Sequence, residues 1–144
     1  MQRRAFLQSS LLASAATLAG TSKLFGQSAS ALPKFGLGYA PHPGMFKALA
    51  GASIIDQIKF AADQGFTAWE DNGMPGRSAA EQEAIGQTLA DHKMQMGVFV
   101  AYASFDTPTF AVRNAATEKE ILGKIRDSVD VARRCGAKWM TVVP

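Results

Sequence analysis

Short apolar runs alternate along the chain with segments whose apolar residues recur every three to four positions. Four runs, Phe35–Ala40, Phe66–Glu70, Gly97–Ala103 and Lys138–Val143, are rich in Val, Phe, Tyr and Trp and bounded by turn residues. Each predicts a buried strand. Their starts lie 31, 31 and 41 residues apart, close to the length of one strand–helix unit. Ser53–Asp56, Ser78–Glu81 and Thr117–Glu120 each set a hydroxyl three residues before a carboxylate, the spacing of a reciprocal N-terminal cap. Three helices are predicted behind these caps. Their apolar stripes are Ile54, Ile55, Ile58, Ala61 and Ala62; then Ile85, Leu89 and Ala90; then Ile121, Leu122, Ile125, Val129 and Ala132. Gly65 and Gly136 supply stops for the first and third.

The order β-α-β-α-β-α-β requires parallel strands joined by right-handed crossovers, hence an α/β fold. Helix-to-strand connections are short, around Gly65, Gln95 and Gly136, whereas those from strand to helix are long: Pro41 to Ala52, Asp71 to Arg77 and Ser104 to Ala116. The long loops gather at the carboxyl ends of the strands, where parallel α/β folds place their chemistry.

Candidate residues stand at those ends. His42 lies between two prolines just past the first run, fit to move a proton or bind a hydroxyl, and equally able to be an exposed loop histidine. Glu70 and Asp71 close the second run and point to opposite faces. One can face a site while the other meets the helix layer or solvent, and Glu70 can alternatively tie a neighbouring loop. Tyr102 and Ser104 end the third run and can line the same mouth. Trp69 and Trp139 are expected in the core, and His92 on the surface. Gly36-Leu37-Gly38 does not continue into a dinucleotide fingerprint, because Pro41 holds the third glycine position and no helix follows directly. The lone Cys135 precludes an internal disulfide and lacks an activating base for nucleophilic work.

Charge redraws the N-terminus. Of 15 basic residues, Arg3, Arg4 and Lys23 fall in residues 1–31, which carry no acid; the remaining 12 basic residues balance 12 acidic ones. A neutral body offers no phosphate-binding surface, so nucleic acid is not an expected partner. Arg3-Arg4-Ala5-Phe6-Leu7 precedes a small-residue apolar stretch, Leu11 to Ala19, too short for a membrane span, and Ala29-Ser30-Ala31 offers a cleavage site. Residues 1–31 resemble a twin-arginine export signal, although Gln2 and Gln8 depart from its usual pattern. That resemblance implies a partner in the twin-arginine export machinery, a periplasmic location and a mature chain starting near Leu32.

The run from Ile58 to Glu70 resembles the first helix and second strand of the xylose-isomerase-like TIM barrels, in the branch of hydroxypyruvate isomerases and related sugar isomerases and epimerases. The stretch from Val131 to Pro144 is similar to their third helix and fourth strand, so the resemblance spans residues 35–144. It implies a parallel (β/α)8 barrel of which this chain holds the first four strands and three helices. It also implies a small sugar or keto-acid substrate, and a divalent metal (Mg, Mn or Zn) in a full-length parent, held by side chains from later strands. The two glutamates that trade protons with the substrate in that family are likewise expected beyond Pro144, so the fragment alone is expected to bind no metal and to be inactive. What corresponds here is Glu70 and the loop around His42. The family often has a histidine at the end of strand three, where this chain has Tyr102, Ala103 and Ser104. The alternative expectation is a noncatalytic periplasmic carbohydrate-binding half barrel that dimerises, since open sheet edges invite self-association.

Overall fold

The computed structural model describes residues 32–143; the export-signal reading of residues 1–31 lies outside them. In chain order the elements are α1 (Lys47–Ala50), α2 (Ile54–Asp63), β1 (Ala68–Trp69), a 3-10 turn (Met74–Gly76), α3 (Ala79–Asp91), β2 (Gln95–Met96), β3 (Val100–Ala103), α4 (Ala115–Cys135) and β4 (Thr141–Val143). The strands form two parallel pairs, β1 with β2 and β3 with β4. The protein is thus α/β with parallel strands, and these pairs are short ladders rather than a closed barrel.

One extended segment, residues 95–103, carries both β2 and β3 and links the two pairs. Ala68 pairs with Gln95 and Trp69 with Met96; further along, Val100 pairs with Thr141 and Ala103 with Val143. Between them the buried side switches from Met96 to Phe99 and Ala101, a phase change that interrupts the ladder.

The expected first strand is not formed. Residues Phe35–Ala40 are bent and almost wholly exposed, with a tight local bond from the Tyr39 amide to the Leu37 carbonyl (2.9 Å). The segment is still fastened beside β1 at both ends, where Phe35 N–H donates to Gly65 O (2.9 Å) and Glu70 N–H donates to Pro41 O (3.1 Å). Gly36 and Gly38 contribute no side chains to pack, which weakens an extended run.

Helices α2, α3 and α4 bury one side each against the strands. Trp69 and Phe99 are fully buried, with Ile58, Ala61, Met74, Ile85, Leu89, Met96, Val131 and Cys135 around them. Burying each such aromatic contributes on the order of 2–3 kcal/mol. Ser53 caps α2 through the Asp56 amide, and Ser78 with Glu81 completes a full reciprocal cap on α3. The third expected cap is wrong. Helix α4 begins at Ala115 with Asn114 as its cap, accepting from the Ala116 and Thr117 amides, so Thr117 lies inside the first turn. Asn is at least as good a cap as Thr and stands three residues earlier. Along α4 the buried line is Ile121, Ser128, Val131 and Cys135, so Leu122 and Val129, each rotated by one residue, are exposed. Trp139 is also no core residue, being 74% exposed.

Gly65 ends α2 with φ +91°, and a Cβ there would stand 2.6 Å from Pro33 O. Its lack of a side chain therefore serves both the turn and the close passage of the chain leading to residue 35.

Candidate functional site

His42 and Glu70 meet where the chain leaves its first two strand-like segments. The bond from Glu70 N–H to Pro41 O sets the two backbones side by side. His42 Nε2 then lies 4.0 Å from Glu70 Oε1, with both side chains partly open to solvent. That separation is too long for a direct hydrogen bond. It suits a third oxygen, which can sit about 2.8 Å from each group at once.

Strand alternation sends Trp69 and Asp71 the other way. Asp71 is buried, and its Oδ2 accepts from Arg77 Nε (2.6 Å) while Oδ1 accepts from Gly73 N–H (3.0 Å). Of the two adjacent carboxylates, Asp71 is thus committed to its own loop and Glu70 is left facing solvent beside His42.

Tyr102 and Ser104 are half-buried at the end of β3, where Ala101 is buried and Ala103 exposed. Among the described residues no hydrogen bond or ion pair joins either of them to His42 or Glu70. A Cβ on Gly97 would lie 3.7 Å from Glu70 Cβ, which puts Glu70 level with residue 97. Tyr102 lies five residues further along that segment, a run on the order of 15 Å. Ser104 Oγ donates to Thr107 O (2.7 Å), and the Tyr102 ring stands 6.2 Å from Phe110.

Two residues outside the sequence-predicted site hold this end of the molecule together. Gln57 and Gln82 are both buried polar side chains. Gln57 Oε1 accepts from Gly44 N–H (2.8 Å) and its Nε2 donates to Gly51 O (3.1 Å), spanning the loop that carries His42. Gln82 Nε2 donates to Met74 O (3.0 Å) and Arg77 O (2.9 Å), spanning the loop after Glu70, while its Oε1 accepts from Arg134 Nε (2.6 Å). A signal existed in the chain. Each glutamine directly follows the carboxylate of a cap, in Ser53-Ile-Ile-Asp56-Gln57 and Ser78-Ala-Ala-Glu81-Gln82.

Burial, with a smaller contribution from the charge of Asp71, pushes the Cys135 thiol above its ordinary pKa, so it stays protonated and inert. Among the described residues no three His, Cys, Asp or Glu side chains gather as a divalent ion requires. His42 and Glu70 offer two donors and Asp71 is turned away, so this end supplies no three-ligand set. No helix among the described residues is long and apolar enough to cross a membrane.

The fold and site define an α/β protein with parallel strands and a histidine–carboxylate pair at a strand end. Set against protein-family models, curated proteins and solved structures, the chain matches none.

Proposed function

We propose that residues 32–144 form the N-terminal half of a (β/α)8 barrel of the xylose-isomerase-like kind, whose full-length parent acts on a small keto-sugar or keto-acid as an isomerase or epimerase. Three features support the barrel: strand-like segments that neighbour one another in chain order, parallel pairing, and long loops after the strands. The observation that carries the function is the 4.0 Å gap between His42 Nε2 and Glu70 Oε1, which accommodates one substrate oxygen between a ring nitrogen and a carboxylate. In the reaction a C–H bond beside a carbonyl breaks and its electron pair forms an enediolate. In isomerisation the proton returns to the former carbonyl carbon while the hydroxyl proton passes to the former carbonyl oxygen, and in epimerisation a proton returns to the same carbon from the opposite face. In this reading His42 and Glu70 bind and orient the substrate's hydroxyl and carbonyl oxygens. The groups that move the proton belong to other strands of the barrel. Residues 1–31 direct export to the periplasm through the twin-arginine route.

Titrating the isotope-labelled 144-residue chain with hydroxypyruvate, and separately with dihydroxyacetone, tests the binding role. The amide signals of His42, Gly44 and Glu70 are expected to shift together and saturate with at least one of the two. Absence of any shift at these three positions with both compounds contradicts the proposal.

A further inference from the structure

His42 and Glu70 stand on separate loops, so their 4.0 Å separation depends on what fixes each loop. The same device does so twice. Helix α2 begins at Ile54 and α3 at Ala79, so Gln57 and Gln82 are each the fourth residue of their helix. From that position each side chain reaches back, buried, and bonds to main-chain groups of the loop just before the helix. Gln57 uses one acceptor and one donor on Gly44 and Gly51, which bracket α1. Gln82 uses both amide hydrogens on Met74 and Arg77, which bracket the 3-10 turn, and Arg134 Nε occupies its oxygen. Arginine can only donate, so this partner fixes which way the Gln82 amide faces.

Among the described residues the third strand-to-helix loop has no such clamp. In α4 the fourth residue is Glu118, which is exposed. The loop before it, residues 104–114, carries Tyr102 and Ser104 at its start and no candidate pair. The clamps occur on the two loops that bring candidate residues together.

We propose that Gln57 and Gln82 are positioning residues which clamp the loops behind His42 and Glu70 and so hold these two side chains at substrate-binding separation. The word substrate rests on the function proposed above; the clamping does not. Removing either clamp frees its loop to move against the other. The Glu70 amide reports this motion, because its bond to Pro41 O is the main-chain link between the two loops.

Amide hydrogen exchange on the full chain gives the test. The Gly97 amide, bonded to Trp69 O at 2.7 Å within the strand layer, serves as the internal reference. In Gln57→Met and Gln82→Met, which keep an apolar side chain of similar length, Glu70 is expected to exchange about tenfold faster relative to Gly97. In Ile58→Val and Ile85→Val, which weaken the core of the same helices, that ratio should stay at its wild-type value. Arg134→Met removes only the partner of the Gln82 oxygen and should raise the ratio in the same direction, which keeps the test alive if a glutamine variant does not fold. An unchanged ratio in the folded glutamine variants, or in Arg134→Met where neither folds, overturns the proposal. Acceleration of Glu70 and Gly97 by equal factors does so too, since that marks a purely structural role. No ligand enters the measurement, so a failure of hydroxypyruvate or dihydroxyacetone to bind would leave its outcome intact.

Discussion

The second and third strand-like segments each end in a loop that leads to a helix, yet the two loops are built in different ways. After Glu70, the loop 71–77 is closed on itself by the Asp71–Arg77 ion pair and bonded to the helices by Gln82. After Ala103, the loop to Asn114 relies on a local bond from Ser104 to Thr107 and an aromatic contact between Tyr102 and Phe110. Phe105 is 84% exposed there, and the Thr109 hydroxyl is buried with no partner among the described residues. Buried polar bonds define one geometry because each lost partner costs free energy, whereas exposed aromatic contacts permit several. The first end can hold two side chains at a set distance. Among the described residues the second is tied by Ser104 N–H to Val143 O (3.4 Å) and by the Ser104–Thr107 bond, with no buried side-chain clamp.

Breaking the ion pair gives the largest expected effect. Arg77→Met leaves the Asp71 carboxylate buried without its partner, and should cost about 3 kcal/mol in urea unfolding. The same experiment on Ser78→Ala, which removes the cap of α3, should show a loss of about 1 kcal/mol. Ser104→Ala, at the loosely held end, should change stability by less than about 0.5 kcal/mol. A cost at Ser104 equal to that at Arg77 would erase the contrast between the two ends.

The smallest effect is in pH. The Ser78 hydroxyl, then the Ser78 backbone amide, hold the Glu81 carboxyl below its ordinary value of 4.5. A carboxyl with a depressed folded-state pKa stabilises the fold above its unfolded value, and that contribution is lost as pH falls through the folded one. Stability should therefore decline slightly below about pH 4.5 in the wild type, and Glu81→Gln should flatten that decline.

Periodicity and capping made much of this architecture legible from the chain. The stripe of α2, Ile85 and Leu89 of α3, the N-cap residues Ser53 and Ser78 and the parallel pairing of the strands follow from residue patterns that act within a few positions. By contrast, Ala90 is exposed, only Ser78 and Glu81 form a reciprocal cap, and β2 at Gln95–Met96 precedes the expected third run. The misses are long-range or competitive. Phe35–Ala40 has a strand-like composition, but its two glycines leave it bent. Thr117 lost the cap to Asn114. Glu70 beside His42 was half visible, since alternation separates it from Asp71, but only the bond from Glu70 to Pro41 brings the loops together. The contact of Arg134 with Gln82 joins residues 52 apart and has no local signature. Each glutamine stands directly after a cap, a local pattern, but its loop partners Gly44, Gly51, Met74 and Arg77 are fixed only by the fold.

Affinity for hydroxypyruvate or dihydroxyacetone, whichever the wild-type chain binds, compared between Glu70→Gln and Ser104→Ala by calorimetric titration, tests the central claim most directly. Removing the Glu70 charge should weaken binding about ten- to hundredfold, the worth of a charge-assisted hydrogen bond, while Ser104→Ala should stay within about twofold of wild type. Wild-type affinity in Glu70→Gln, or an equal loss in Ser104→Ala, would contradict it.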